Sequence, residues 1–176
     1  MKKNIFFLTV ILLFIISCDN TKTQNETDKK DAATMATESK QERNKKVIMA
    51  CMDNFMKGDV DAAFKDVAPG YVENMDGTSP AGTNIDSIKA GMKAFTASIE
   101  NYKGENMKYY ADGDYVLVYA DWSGVFKKDM MGMKATGKPI KFRDIDIFKL
   151  NDEGKLTEHS SIQNLGSVFM SSTMTK

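Results

Sequence analysis

The sequence predicts an α+β cone, in which a curved antiparallel sheet wraps three N-terminal helices and encloses a pocket. Three observations support this class: apolar residues recur at helical spacing before residue 100, strand-type alternation follows from Tyr102 onward, and turn residues separate the alternating segments. Helical patterns followed by consecutive antiparallel strands are typical of an α+β domain. A curved sheet over helices also provides the concave, mostly apolar setting in which small molecules bind.

The N-terminal half of the domain contains the helical patterns. Apolar spacing predicts a first helix over about 44–57, ended by Gly58, and a short second helix that begins near Val60. A short strand is expected over 71–75. Asn84 is positioned to cap a third helix, whose apolar residues then fall on one face.

The C-terminal half is predicted to be strands. The predicted strands cover 107–111, 115–126, 140–150 and 155–164. Asp112-Gly113 is a strong hairpin signal between the first two strands. Period-two alternation puts Asp144 and Asp146, bracketed by phenylalanines, on one face of the third strand. Two aspartates between aromatic residues are typical of a pocket lining rather than of a plain core.

Residues 1–17 have the pattern of a signal peptide. Lys2 and Lys3 precede an apolar run that is shorter than the roughly 20 residues needed to span a membrane. The run ends in Ile15-Ile16-Ser17-Cys18, which resembles the lipoprotein signal of bacteria, so we predict that Cys18 is lipidated, with palmitate among its acyl chains. Such chains would anchor the protein to a membrane of the cell envelope, with the outer membrane favoured. The alternative is an ordinary secretory signal with an accidental cysteine.

The rest of the chain is predicted to hold one domain. Residues 18–41 are polar and charged and are interpreted as a flexible tether, since they lack the apolar surface needed for folding. Residues 42–169, on the order of 130 residues, match the usual size of one domain. Residues 170–176 are expected to form a tail.

Composition excludes several functions. The 24 basic and 24 acidic residues balance, which argues against a nucleic-acid partner. Cys51 is left without an intrachain partner if Cys18 carries a lipid. His159 is the single histidine, so metal sites built on two or three histidines are excluded, and no metal or cofactor is expected.

Methionines in the 130–133 loop are interpreted as a lid over the pocket, with a Cu(I) site as the alternative.

A series of short motifs follows a fixed order in the C-terminal half. The motifs are Gly113-Asp114, Gly124, Met131-Gly132-Met133, Thr136-Gly137-Lys138, Ile145-Asp146-Ile147-Phe148, Gly154-Lys155 and Glu158-His159. Their order and spacing resemble the SnoaL-like branch of the NTF2-like superfamily. The resemblance implies the cone fold. Because this superfamily hosts isomerases, cyclases, hydrolases and binding domains on one scaffold, the resemblance alone does not select an activity.

Three departures from the family pattern argue against cyclase chemistry. Asn74 stands where the family often has a histidine, and Ser160 replaces a tryptophan. Asn164 replaces the acidic residue that acts as acid or base in the cyclases. An amide exchanges no proton at neutral pH, so Asn164 can only form hydrogen bonds.

The predicted cavity wall combines the pocket face with the family positions. Its members are Tyr71, Trp122, Phe142, Asp146, Ser160 and Asn164. Asp146 is the candidate catalytic residue, because burial beside a like charge raises a carboxyl pKa. Ile162, together with the family's tryptophan position at Ser160, indicates that their face of the last strand points inward. Alternation then places His159 on the face that points away from the cavity.

The sequence thus predicts an envelope lipoprotein whose cone binds a small, largely apolar molecule. One alternative is a metal-free isomerase or hydrolase that uses Asp146 with Ser161 or Asn164 as a hydrogen-bond partner. Another is an accessory or structural lipoprotein without a ligand. A homodimer is expected through the outer sheet face, where Ile145 and Ile147 would otherwise form an unexplained apolar patch.

Overall fold

The computed structural model describes the backbone of residues 21–130 and 132–174 and the side chains of 39–130 and 132–171. The chain divides into two compact units, Met1–Met35 and Ala36–Lys176. The second unit contains the sheet and the helices that pack on it. Cys18 lies outside the described residues, so its lipidation stays a prediction.

Four helices and five strands follow one another along the described chain. In order they are α1 (Thr21–Met56), α2 (Val60–Ala63), β1 (Val67–Glu73), α3 (Ile85–Ser98), β2 (Ile99–Asp112), β3 (Tyr115–Phe126), β4 (Pro139–Leu150), β5 (Leu156–Ser161) and α4 (Leu165–Met174). The predicted cap of α3 is confirmed, because the Asn84 side chain accepts a hydrogen bond of 2.9 Å from the backbone N–H of Ser87. None of the described helices is long and apolar enough to cross a membrane.

The five strands form one curved mixed sheet in the order β1-β5-β4-β3-β2. Strands β2 to β5 pair antiparallel with their neighbours, as predicted, whereas β1 joins the edge parallel to β5. The predicted α+β cone is therefore confirmed, with one parallel edge strand added to the antiparallel sheet. Residues paired across neighbouring strands project from the same face. Pairing of His159 with both Glu73 and Phe148 therefore sets these three side chains on the inner face.

The core lies between the inner face of the sheet and the helices. Ile48 and Met52 of α1 pack on buried Val116 and Val118 of β3, and a second cluster gathers Phe95, Phe126 and Phe169. Full burial of one such aliphatic or aromatic side chain contributes about 1.5–3 kcal/mol. Close approach of β2 to β3 requires a glycine at position 124, since a Cβ there would collide with the Ile99 side chain.

Helix α1 is fixed to the sheet by a buried polar contact. The Asn44 side chain is fully buried and donates a hydrogen bond of 3.3 Å to the carbonyl of Gly113, in the β2–β3 turn. Arg43 donates to the Asn44 side-chain oxygen and to the carbonyl of Asp152, in the β4–β5 turn. One end of the sheet is thereby joined to the helix by groups that have their hydrogen bonds satisfied.

The structure differs from the sequence prediction at both ends of the domain. Helix α1 begins at Thr21, within the segment interpreted as a tether. The last predicted strand ends early, at Ser161, and α4 follows where a strand end and a tail were expected. The side-chain oxygen of Asn164 accepts a hydrogen bond of 2.7 Å from the backbone N–H of Ser167, which begins the helix there.

Candidate functional site

A cavity of about 740 Å³ lies between the inner face of the sheet and helices α1 and α3. Its wall is mainly apolar and rich in aromatic side chains, including Phe55, Phe95, Tyr102, Trp122, Phe142 and Phe148. The rings pack in pairs: Tyr102 stacks on Trp122 with 5.1 Å between ring centroids, and Phe55 stacks on Phe95 at 6.0 Å. This volume falls within the range of about 300–1,000 Å³ that is usual for small-molecule sites.

Three ionisable residues form a connected line in the cavity wall. His159 Nδ1 lies 2.8 Å and 3.0 Å from the two carboxylate oxygens of Glu73, and its Nε2 lies 3.2 Å from Oδ1 of Asp146. As an imidazolium, His159 donates one hydrogen bond to each carboxyl group. The ring also stacks on Phe148, with 4.6 Å between centroids, which fixes its plane.

Glu73 is held in place from several sides. The Tyr71 hydroxyl donates a hydrogen bond of 2.8 Å to Oε2, and the backbone N–H of Met75 donates one of 3.0 Å to Oε1. Burial acts to raise the pKa of Glu73, but the hydrogen bond from His159, the charge of His159 and the other donors outweigh it, so the pKa lies below its usual value. Glu73 is therefore a fixed anion behind His159.

The same contacts act on the other two groups. Burial alone would lower the pKa of His159, but hydrogen bonds to Asp146 and Glu73, together with their charges, raise it to about 10. Burial raises the pKa of Asp146, and its hydrogen bond and charge interaction with His159 only partly offset this effect. Oδ2 of Asp146 is a buried oxygen without a hydrogen-bond partner among the described residues. The Asp146–His159 pair therefore holds a proton near an unpartnered oxygen.

Asp144 lies two residues before Asp146 on β4 but has different hydrogen-bond partners. Its carboxyl group accepts hydrogen bonds from the Ser161 hydroxyl and from the backbone N–H groups of Ile145, Ile162 and Gln163. Each of these donors is neutral. Asp144 thus fixes the turn between β5 and α4. The Ser161 hydroxyl lies within hydrogen-bond distance of Asp144 and of the Gln163 carbonyl, neither of which is the imidazole or amine base that usually activates a serine.

Four of the six predicted wall residues line the cavity. These are Tyr71, Trp122, Phe142 and Asp146. Ser160 and Asn164 do not. Ser160 accepts a hydrogen bond of 3.3 Å from the side chain of Asn74, and Asn164 caps α4 while it donates to Asp76.

The predicted orientation of β5 is wrong. His159 faces the cavity, and Ser160 projects from the other face, because β5 pairs with β4 in the register that sets His159 opposite Phe148. The inward face of β4 was correctly assigned from its aspartates and phenylalanines. His159 also pairs with Glu73 of β1. These two pairings determine which face of β5 points inward.

Two further residues were absent from the predicted wall. Glu73 is one of them, although alternation along the predicted 71–75 strand places it on the same face as Tyr71. Tyr71, Met75 and His159 donate to its buried carboxylate. Tyr102 lines the cavity, and its pKa is raised well above the usual value by burial and by the charges of Asp146 and Asp144. No group of three or more His, Cys, Asp or Glu side chains in the described part of the chain is arranged to hold a metal ion.

A curved sheet over helices that encloses an aromatic cavity is the concave, mostly apolar setting in which small-molecule sites usually lie. The family described as SnoaL-like polyketide cyclase matches residues 46–169. The chain belongs to this family. No characterised protein is similar enough in sequence to count as a match.

Solved structures share the fold of this chain. A proposed polyketide cyclase from Xanthomonas campestris is 18% identical, with a TM-score of 0.66, covering 74% of this chain and 97% of its own. A proposed SnoaL-like polyketide cyclase from Jannaschia is 17% identical, with a TM-score of 0.70, covering 78% and 96%. A ketosteroid isomerase-like protein from Catenulispora acidiphila, solved with trimethylamine, is 19% identical, with a TM-score of 0.59, covering 73% and 93%. At these identities the similarity shows the fold alone.

Proposed function

We propose that the protein is a lipid-anchored protein of the bacterial envelope that binds one small, largely apolar molecule in its cavity. The observation that carries the proposal is the cavity of about 740 Å³ with its mainly apolar, aromatic wall. An open cavity of this size also argues against an accessory role in which the cone would be filled. The anchor is Cys18, and the outer membrane is the favoured location.

The wall residues divide into contact surface and one polar position. Trp122 and Phe142 offer ring faces to the ligand, and Tyr71 offers its ring because its hydroxyl is already bound to Glu73. Asp146 is a polar residue of the wall, and its Oδ2 has no hydrogen-bond partner among the described residues. Apolar contacts would therefore supply most of the affinity, and Asp146 would fix the orientation of the ligand.

Native purification followed by mass spectrometry tests this proposal. We expect a co-purified molecule, or an environment-sensitive apolar dye that binds at one site per chain. Phe142→Ala should lower the affinity for the dye. Ile147→Ala, on the outer face, should leave that affinity unchanged. Equal affinities in the two variants, or no dye binding to the folded wild-type protein, would contradict a ligand-binding cavity.

A second candidate function is a metal-free isomerase, which the contact between Asp146 and His159 favours. In its ionised form, the Asp146 carboxylate would accept a proton from the bound molecule and return it at a different position. His159, held by Glu73, would stabilise the carboxylate before the first transfer and after the second. A hydrolase based on Ser161 is less favoured, since the hydroxyl contacts Asp144 and the Gln163 carbonyl and no imidazole or amine base among the described residues. Turnover that is lost in Asp146→Asn while ligand binding survives would identify the isomerase.

A further inference from the structure

The charges of the cavity wall are unbalanced. Glu73, Asp144 and Asp146 line the cavity on the sheet side, and His159 is the one basic group that faces them among the described lining residues. No described lysine or arginine lines the cavity. Asp129, at another part of the wall, is paired with the exposed Lys134.

The hydrogen bonds of Asp144 do not remove this imbalance. Its four donors are neutral groups, which stabilise a carboxylate but leave its charge in place. The single positive charge of His159 lies between Glu73 and Asp146 and can balance the negative charge of one of them. With all three carboxyl groups ionised, the sheet side of the wall therefore carries more negative than positive charge.

Two further observations indicate what would balance this charge. Oδ2 of Asp146 is buried without a hydrogen-bond partner among the described residues, although the residue lines the cavity. Aromatic rings, including Tyr102, Trp122 and Phe142, line the same space, and the faces of such rings attract cations. An anionic ligand would meet several carboxylates and no lysine or arginine, so it would be repelled.

We propose that the ligand is an apolar molecule with one positively charged nitrogen, which lies beside the Asp146 carboxylate while its apolar body contacts the aromatic rings. This inference rests on the proposed binding function and specifies its ligand class. A positive charge next to Asp146 would balance the wall without displacing His159 from Glu73. The aromatic faces would contribute additional attraction to a weakly hydrated cation.

Two probes of equal shape separate charge from contact area. Benzyltrimethylammonium and its carbon isostere, neopentylbenzene, differ in the charged nitrogen, and 3-phenylpropionate serves as an anionic probe. Each would compete with an apolar fluorescent dye bound to the full-length protein at pH 7.5. We expect the ammonium probe to bind at least tenfold more tightly than the isostere and the anion to bind least tightly.

Asp146→Asn should remove the preference for the ammonium probe while retaining binding of the isostere. Asp121→Asn is the matched control, because Asp121 is paired with Arg143 and is absent from the cavity wall, and it should keep the preference. The comparison of probes on the wild-type protein remains decisive even if Asp146→Asn does not fold. Equal or tighter binding of the isostere would overturn the inference and leave the proposed function intact. Failure of the dye and every probe to bind would instead overturn the proposed function.

Discussion

Protonation of His159 should make the stability of the fold depend on pH in a measurable way. The pKa of His159 is raised to about 10 in the fold, whereas that of an unfolded histidine is about 6.5. A group with a higher pKa in the folded state stabilises the fold fully below its unfolded pKa, and this stabilisation is lost as the pH rises toward the folded pKa. Between the two values the fold binds about one extra proton, so the free energy of unfolding should decrease by about 1.4 kcal/mol per pH unit.

The expected loss between pH 7.0 and 8.5 is about 2 kcal/mol, obtained by integrating this proton difference. Urea denaturation at several pH values measures it. The proton is shared between His159 and Asp146, so the control is the double variant His159→Gln and Asp146→Asn, in which the slope from this pair should disappear. Cys51, whose pKa is raised to about 12 mainly by burial, adds its own loss near pH 9, but it is present in both proteins and cancels.

An independent measurement follows the imidazole itself. His159 is the only histidine, so nitrogen NMR of protein without a histidine tag reports one ring. Both ring nitrogens should remain protonated at pH 8.5. Deprotonation near pH 6.5, together with identical pH slopes in the wild-type protein and the double variant, would refute the inference that Glu73 and Asp146 hold His159 charged.

Four further outcomes are expected. Cys18→Ala should abolish acylation, and wild-type protein from membranes should have the mass of a lipidated chain; an unlipidated mass would refute the anchor. Phe142→Ala should weaken apolar dye binding about tenfold by titration, from about 60 Å² of lost contact at about 25 cal/mol per Å². Asn164→Ala should lower the free energy of unfolding in urea by about 1 kcal/mol through loss of the α4 cap, without changing dye affinity. Light scattering at tens of micromolar should give a dimer mass for the wild-type protein and a monomer mass for Ile147→Asp; a wild-type monomer would contradict pairing through the outer sheet face.

Local patterns in the sequence predict most of the fold. The period of two in β4, the Asp112-Gly113 turn and the Asn84 cap each depend on neighbouring residues, and each is found in the structure. The inward face of β4, with Asp146 and Phe142, could be assigned for the same reason.

The orientation of His159 depends on a contact between distant segments. His159 was assigned to the wrong face because alternation alone does not determine which face of a strand points inward, and its pairing with Glu73 joins residues 86 positions apart. Glu73 could have been found, because alternation along the predicted 71–75 strand places it on the same face as Tyr71. Its contact with His159, across the pairing of β1 with β5, could not. Helix α4 is predictable from Asn164, because an asparagine before an apolar stretch is a helix-cap signal.

The parallel pairing of β1 with β5 has a consequence for the order of folding. Strands β2 to β4 connect through neighbouring segments and can pair early, whereas β1 must wait for the strand that comes last. Closing the long segment between β1 and β5 costs chain entropy before any contact compensates for it. Pairings between such distant segments form slowly. The contact between Glu73 and His159 lies across this closure, so the ionisable line of the cavity wall should be among the last features to assemble. A folding chain would then pass through a state with a nearly complete sheet and a cavity wall still open along one edge.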